Sequence, residues 1–267
     1  MRPIQVVKIG TNSVFNNNST DYALLSGLGY DLAKFGIEKN TDSVLVISGA
    51  VRLGMRDEGL TQKPKETLAL QSCARAGQPL LEEVYRNGLE LGHRKYCNEN
   101  GINPKFATTQ FLVTYHNLDD RLELENIVSG VKYDLSKGKL PKFNYNDGVD
   151  PTEVERDNDN LAARIAKALE EHGSKVKRLV IMTDDGLKDK EGKLVTYVGE
   201  INEYIRGLVW KGGSGNGGMN TKLDAAKMLL DEGIPTIIGD KSYGLQRLVY
   251  DAQIRTIIRR LALKRRG

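Results

Sequence analysis

Two lysines and one crowded run of carboxylates are the residues of this chain best placed to do chemistry. Lys8 closes on the apolar segment IQVVKI at 4–9, and Lys222 ends the stretch KGGSGNGGMNTK at 211–222, which holds five glycines. Glycine runs cost folding entropy, so a globular chain keeps them where backbone must turn sharply or approach something closely. Phosphate is the commonest such thing, because amides at a helix N-terminus and the helix dipole both favour an anion. A mobile loop suits the same residues. An ammonium group in an apolar strand is awkward unless it faces a site, although a surface lysine is the plain alternative. Phosphoryl transfer is mostly alignment plus neutralisation of the moving group's charge, which two converging lysines would supply without a general base.

The third element is NYNDGVDPTEVERDNDNLAARIA at 144–166, with Asp147, Asp150, Glu153, Glu155, Asp157 and Asp159 inside thirteen positions. Asp157 or Asn158 would cap the helix that begins at LAARIA, which explains one or two of these acids and not the rest. Calcium binding competes for such a run, yet the D-x-[DN]-x-[DN]-G spacing is absent. A set of carboxylates that holds an ammonium group and orients cations fits it better.

Other chemistries lack their motifs. GGMNTK is not a Walker A sequence, no GxGxxG follows the first strand, and the HRD, DFG and GxSxG patterns are missing. His93, His116 and His172 fall in polar helical or loop contexts without partners, so they are expected to be solvated or structural. Cys73 and Cys97 lack metal-ligand spacing and are expected as reduced thiols, with neither zinc nor a disulfide.

These residues need elements to hold them. Apolar runs at 4–9, 43–48, 179–183 and 235–239 predict buried strands, parallel because continuous apolarity suits burial on both faces. Helical stripes alternate with them: Leu24, Leu28, Leu32 and Phe35 behind a cap at Ser19 or Thr20; Leu161, Ile165 and Leu169; Leu223, Ala226 and Leu230. The alternation predicts an α/β protein, a three-layer αβα sandwich with a mainly parallel central sheet. Ligands in such sheets sit beyond the carboxyl ends of the strands. The loops there are Lys8-Ile9-Gly10-Thr11-Asn12, Ser48-Gly49-Ala50 and Asp184-Asp185-Gly186, and 187–197 has the turn chemistry of a hairpin.

Composition is that of an ordinary globular chain, with 39% hydrophobic and 28% charged residues in 267. A single domain over 1–267 is expected, in the cytoplasm, since no run spans a bilayer and MRPIQVVKIG has no signal-peptide core. The formal charge of +4 is uneven: Ala252 to Gly267 holds six basic residues and no acid, so the remainder carries −2, the difference between +4 and +6. Arg255, Arg259, Arg260, Lys264, Arg265 and Arg266 are expected to be a solvated end; no RNA-binding signature or interleaved aromatics accompany them.

In order along the chain, VVKIGTNSV (6–14), SGAVRLGM (48–55), FNYNDGVD with RDNDNLAA (143–163), MTDDGLKD (182–189) and GNGGMNTKLDAA (215–226) resemble the amino acid kinase family, and within it the glutamate 5-kinase group. The resemblance implies ATP-dependent phosphorylation of the γ-carboxylate of glutamate, the first step toward proline, with magnesium bridging the ATP phosphates and no metal site of the protein's own. It gives Lys8 and Lys222 the transferring phosphoryl group and Asp159 the orientation of both. Ser48, Gly49 and Ala50 become the acceptor-carboxylate loop, with Asp147 and Asn158 at the amino and α-carboxylate ends of glutamate. Gly10, Thr11, Thr183, Asp184, Gly215, Asn216, Gly217, Gly218 and Met219 join the lysines on the nucleotide side. By the same resemblance the N-terminal part binds the acceptor and about 175–267 the nucleotide. A homodimer or tetramer and feedback by proline are implied, without a membrane or nucleic-acid partner. A short form, without the C-terminal RNA-binding PUA domain of many members, is expected. Two positions depart from the group: its Asn-Glu-Asn-Asp reads Asn144-Tyr145-Asn146-Asp147, and the glycine before Asp-Asn-Asp is Arg156.

Overall fold

The computed structural model describes residues 1–16, 19–150, 158–209 and 218–260. Among these residues eight strands form one main sheet, and two more form a short pair outside it. In chain order the first are β1 (Ile4–Ile9), the outlying pair β2 (Phe15–Asn16) and β3 (Ser19–Thr20), β4 (Asp42–Val46) and β5 (Thr108–Val113). Then come β6 (Leu140–Tyr145), β7 (Val176–Thr183), β8 (Tyr197–Val198), β9 (Thr236–Asp240) and β10 (Arg255–Ile258). The order across the sheet is β5-β6-β4-β1-β7-β9-β10-β8, parallel throughout except where β10 runs against β9. All four strands expected from the apolar runs are present and lie side by side as β4-β1-β7-β9.

Strand alternation divides β1 between two cores. Val7 and Ile9 face one layer, built from α1 (Thr11–Val14), α2 (Tyr22–Glu38), α3 (Ala50–Asp57), α4 (Thr67–Glu99) and, later in the chain, the helix Gly244–Tyr250. Ile4 and Val6 face the other, built from α5 (Tyr115–Asp119), α6 (Arg121–Ser136), α7 (Asn158–Glu171), α8 (Glu203–Gly207) and α9 (Met219–Asp231); Gly244–Tyr250 is α10. This is the αβα sandwich. Among the described residues no helix is long and apolar enough to cross a membrane.

The cap of α2 differs from expectation. Ser19 and Thr20 are extended and paired with Phe15 and Asn16, and Asp21 caps the helix by accepting from the Leu24 amide at 2.9 Å. The hairpin chemistry at 187–197 yields an antiparallel bridge between Lys188 and Leu194.

Helix α4 is pressed against α3 backbone to backbone. A Cβ on Gly77 would lie 1.8 Å from the Ala50 carbonyl oxygen and 2.5 Å from the Gly54 amide nitrogen, and one on Gly54 would lie 1.8 Å from the Cys73 carbonyl oxygen. Neither neighbour can yield as a side-chain tip would. Gly77→Ala is therefore expected to destabilise by about 3 kcal/mol, the upper end of overpacking, lowering Tm by roughly 6–12 °C. Gly27→Ala, on the exposed side of α2 with nothing within 4 Å of its Cβ, serves as the control. It is expected to be neutral or to stabilise by up to about 1 kcal/mol. Equal melts for the two variants would refute the account of the α3–α4 contact.

Candidate active site

The direction of the sheet reverses at β1 and β7: the chain goes outward from β1 through β4 and returns to continue through β7 and β9. Such a switch point leaves a crevice beyond the strand ends. Lys8 stands there, in register with Val46 of β4 and Ile181 of β7. Alternation puts it on the Ile4 and Val6 face, under the first turns of α7 and α9. Its ammonium group lies beside Gly10, whose added Cβ would come within 3.8 Å of Nζ.

Asp159, in the first turn of α7, joins the two lysines. Its Oδ1 lies 2.6 Å from Lys8 Nζ and its Oδ2 lies 3.0 Å from Lys222 Nζ. The carboxylate is fully buried, and both lysines are only 6% exposed. Burial of charge is unfavourable unless partners repay it, and here a carboxylate at a helix N-terminus is held by the dipole as well. Among the described residues, one carboxylate between two ammonium groups gives this trio a formal charge of +1, which attracts an anion into the crevice. Thr221 supports it, its hydroxyl 3.2 Å from Asp159 Oδ2 and donating to the Gly218 carbonyl at 2.8 Å.

Beside this cluster, Ser48 follows β4. Its hydroxyl accepts from Thr11 Oγ1 at 3.0 Å, tying the loops after β1 and β4 together. Gly49 caps α3 at φ 129°, and a Cβ there would meet Phe15 Cε2 at 2.5 Å, so both conformation and space demand glycine. Asn158 donates from Nδ2 to the Ile47 carbonyl at 3.0 Å and to Asn144 Oδ1 at 3.1 Å.

A cavity of about 530 Å³ opens between α4 and the end of β6, lined by Arg75, Gln78, Glu82, Tyr145 and Asp147 among others. Arg75 donates to the Gly148 carbonyl at 2.9 Å, fixing the turn that carries Asp147. Burial pushes the Asp147 carboxyl up to about 6, against the pull of Lys63. On the other side of the crevice, Thr183 ends β7 and Asp184 pairs with Lys241, just past β9. Gly218 and Met219 open α9. Gly215, Asn216 and Gly217 lie outside the described residues, as do Glu153, Glu155, Arg156, Asp157 and the basic end at 264–266.

Lys142 escaped the sequence reasoning. It sits fully buried in β6 and pairs with Glu82 Oε1 at 2.6 Å; desolvation lowers its pKa against that partner. The signal was present, a lysine between Pro141 and Phe143 in an apolar strand. Gln78 and Asn144, bonded at 2.9 Å across 66 positions, carry no local signal.

Fold and crevice together define a class: three-layer α/β proteins with a cationic pair at the sheet's switch point. The sequence profile of the amino acid kinase family matches residues 3–240, and the chain belongs to that family. Glutamate 5-kinase of Thermoanaerobacter sp. strain X514 is 33% identical over 246 residues, covering 88% of this chain and 61% of the relative. The chain thus spans about three fifths of that relative's length. Glutamate 5-kinase of Ligilactobacillus salivarius is 30% identical over 250 residues, covering 88% of this chain and 87% of the relative. Among solved structures, Giardia carbamate kinase superposes with a TM-score of 0.62 at 17% identity, covering 97% of this chain and 99% of that one. N-acetylglutamate synthase from Neisseria gonorrhoeae gives 0.65 at 14%, covering 97% of this chain and 62% of that one.

Proposed function

We propose that the protein transfers the γ-phosphoryl group of ATP to the γ-carboxylate of L-glutamate, giving glutamyl 5-phosphate. The observation that carries this reading is the buried trio Lys8, Asp159 and Lys222, drawn from three distant parts of the chain to the switch point. A carboxylate oxygen of the acceptor forms a bond to the γ-phosphorus as the bond to the bridging oxygen breaks, and ADP leaves. The acceptor is already ionised, so no base is needed. Lys8 and Lys222 offset charge on the moving group, and Asp159 keeps their ammonium groups aimed together. Magnesium, bound mainly by the ATP phosphates, neutralises charge there. In this reading Ser48, Gly49 and Ala50 face the reacting carboxylate, and Asp147 and Asn158 hold the far end of glutamate. Gly10, Thr11, Thr183, Asp184, Gly218 and Met219 serve the nucleotide. The division into an acceptor part and a nucleotide part from about 175, within one domain, belongs to the same proposal, as do the homo-oligomer and feedback by proline.

Relatives called glutamate 5-kinase support this choice of acceptor. The test is a coupled assay with ATP and magnesium in which L-glutamate, L-aspartate, N-acetyl-L-glutamate and uridylate are offered singly, with and without proline. Turnover of another acceptor and none of glutamate sinks the proposal.

Asp147 supplies a pH signature. An ammonium group is held by the ionised carboxylate, so the glutamate KM is expected to fall as pH rises through about 6 and then level off. Asp147→Asn should raise KM about tenfold or more at neutral pH, mainly by loss of a charge-assisted bond, and should flatten the profile. Stability runs the other way. A carboxyl raised in the folded state favours folding while protonated, and that contribution is lost as pH climbs from its unfolded range to about 6. Asp147→Asn is thus expected to melt above the parent at pH 8 and level with it near pH 3.5, by at most about 3 kcal/mol. Parallel melts at both pH values would refute the raised carboxyl.

A further inference from the structure

The two ends of an amide have the same shape and opposite roles: oxygen accepts, nitrogen donates. Three amides run in series from the crevice to the cavity, and their orientation is set from one end. The Ile47 carbonyl can only accept, so the group facing it at 3.0 Å is Asn158 Nδ2. The second hydrogen of that nitrogen goes to Asn144 Oδ1 at 3.1 Å. Asn144 Nδ2 therefore points the other way and donates to Gln78 Oε1 at 2.9 Å. Each amide fixes the next. At the two ends of the relay, Asn158 Oδ1 and Gln78 Nε2 are buried without a hydrogen-bond partner among the described residues. A buried polar atom left so is costly, and a ligand is one remedy.

We infer that Gln78 is a positioning residue for the acceptor: Ile47 sets the direction, and Gln78, by accepting from Asn144, keeps Asn144 Oδ1 on the second hydrogen of Asn158 Nδ2, which leaves the Asn158 oxygen as the end offered to ligand, so the site prefers a free amino group to an acylated one. Asn158 is adjacent in sequence to Asp159, so the relay ties the cavity wall to the lysine pair. With Nδ2 committed twice, Asn158 presents an acceptor and suits N–H donors, the amino end of glutamate and not the α-carboxylate end that the resemblance implies. Asp147, in the cavity wall, is a second acceptor and brings charge. An ammonium group satisfies both; an acylated nitrogen has lost the charge and all but one hydrogen. This inference rests on the reading that glutamate binds here, and it adds to that reading the residue that keeps the site turned toward a free amino group.

The test reads binding as well as turnover. Calorimetry with L-glutamate and N-acetyl-L-glutamate is run on the parent, on Gln78→Met, which keeps length and loses the amide, and on Gln78→Glu, which keeps an acceptor for Asn144. The parent is expected to prefer glutamate. Gln78→Met should weaken glutamate about tenfold, the scale of one net hydrogen bond to a charged site, and shrink the preference to a similar extent. Gln78→Glu should restore affinity to within about threefold, a smaller step than one full bond. The ATP analogue AMP-PNP should bind all three alike, and kcat at saturating glutamate should stay within about twofold, since the relay touches no reacting atom. The inference is overturned if the parent binds neither probe or binds both equally, if Gln78→Met is silent, or if Gln78→Glu behaves like Gln78→Met. Glutamate bound with this preference yet never phosphorylated would sink the proposed reaction and leave the role of Gln78 standing; phosphorylation with silent Gln78 variants does the reverse.

Discussion

Lys222→Ala is expected to lower kcat by about two to three orders of magnitude, the usual loss when one group that stabilises transition-state charge is removed, while the glutamate KM stays within about threefold. The reason lies in how the buried charges are shared. Lys222 Nζ is 3.0 Å from Asp159 Oδ2, whereas Oδ1 keeps its own lysine at 2.6 Å. Removing Lys222 leaves Asp159 Oδ1 on Lys8, so the fold should lose less than when the shared carboxylate itself is removed. What disappears is the excess positive charge directed at the moving phosphoryl group. Steady-state kinetics with both substrates varied reads this directly. A variant with parental kcat and a raised KM would make Lys222 a binding group and remove it from the reaction.

Asp159→Asn should do more damage, because it harms both fold and rate. Asparagine keeps the volume and removes the carboxylate that the two lysines share. Two buried ammonium groups then lose the carboxylate they share. Breaking a buried pair by deleting one partner typically costs about 3–5 kcal/mol, a fall in Tm of roughly 6–20 °C for a chain of this size. The rate should fall at least as far as in Lys222→Ala, since neither lysine is held. The double variant Asp159→Asn with Lys222→Met separates the two effects. It should recover much of the lost stability, because one surplus charge is gone, and none of the rate. Contacting residues couple in this way by about 0.5–3 kcal/mol, whereas independent ones add. Strict additivity in melting would show that the three side chains do not share one site.

Lys8 was only half legible: a charge in IQVVKI is awkward unless it faces a site, but a surface lysine suits the same pattern, and the ordered motifs of the family were needed to choose. The layered fold was legible, since β1, β4, β7 and β9 are apolar on both faces and the helices between them carry clear stripes. Asp159 was not separable from its five acidic neighbours by spacing, and only the ordered motifs of the family pointed to it. Helix α4 was harder still. Its 33 residues include Pro79, and Gly77, Gly88 and Gly92 further lower its helical propensity. Those glycines are there for crossings: a Cβ on Gly92 would lie 1.7 Å from the Ser26 carbonyl oxygen of α2. A residue chosen for what crosses it looks, in one dimension, like a helix breaker. The relay from Asn158 to Gln78 fails to show for another reason, since hydrogen bonds between positions 66 apart leave no periodicity to read.

The place of β1 in the sheet also dictates an order of events during synthesis. On one side β1 pairs with β4, made only some forty residues later, but on its other side it pairs with β7, which begins at Val176. Until then one long apolar edge of the nascent chain stays open, a state prone to sticking to its neighbours. Pairings this remote also slow the search for the native topology. Fragments ending before Val176 should therefore be avid clients of chaperones, and any fragment ending before residue 222 should be catalytically silent for want of Lys222, so competence should arrive late.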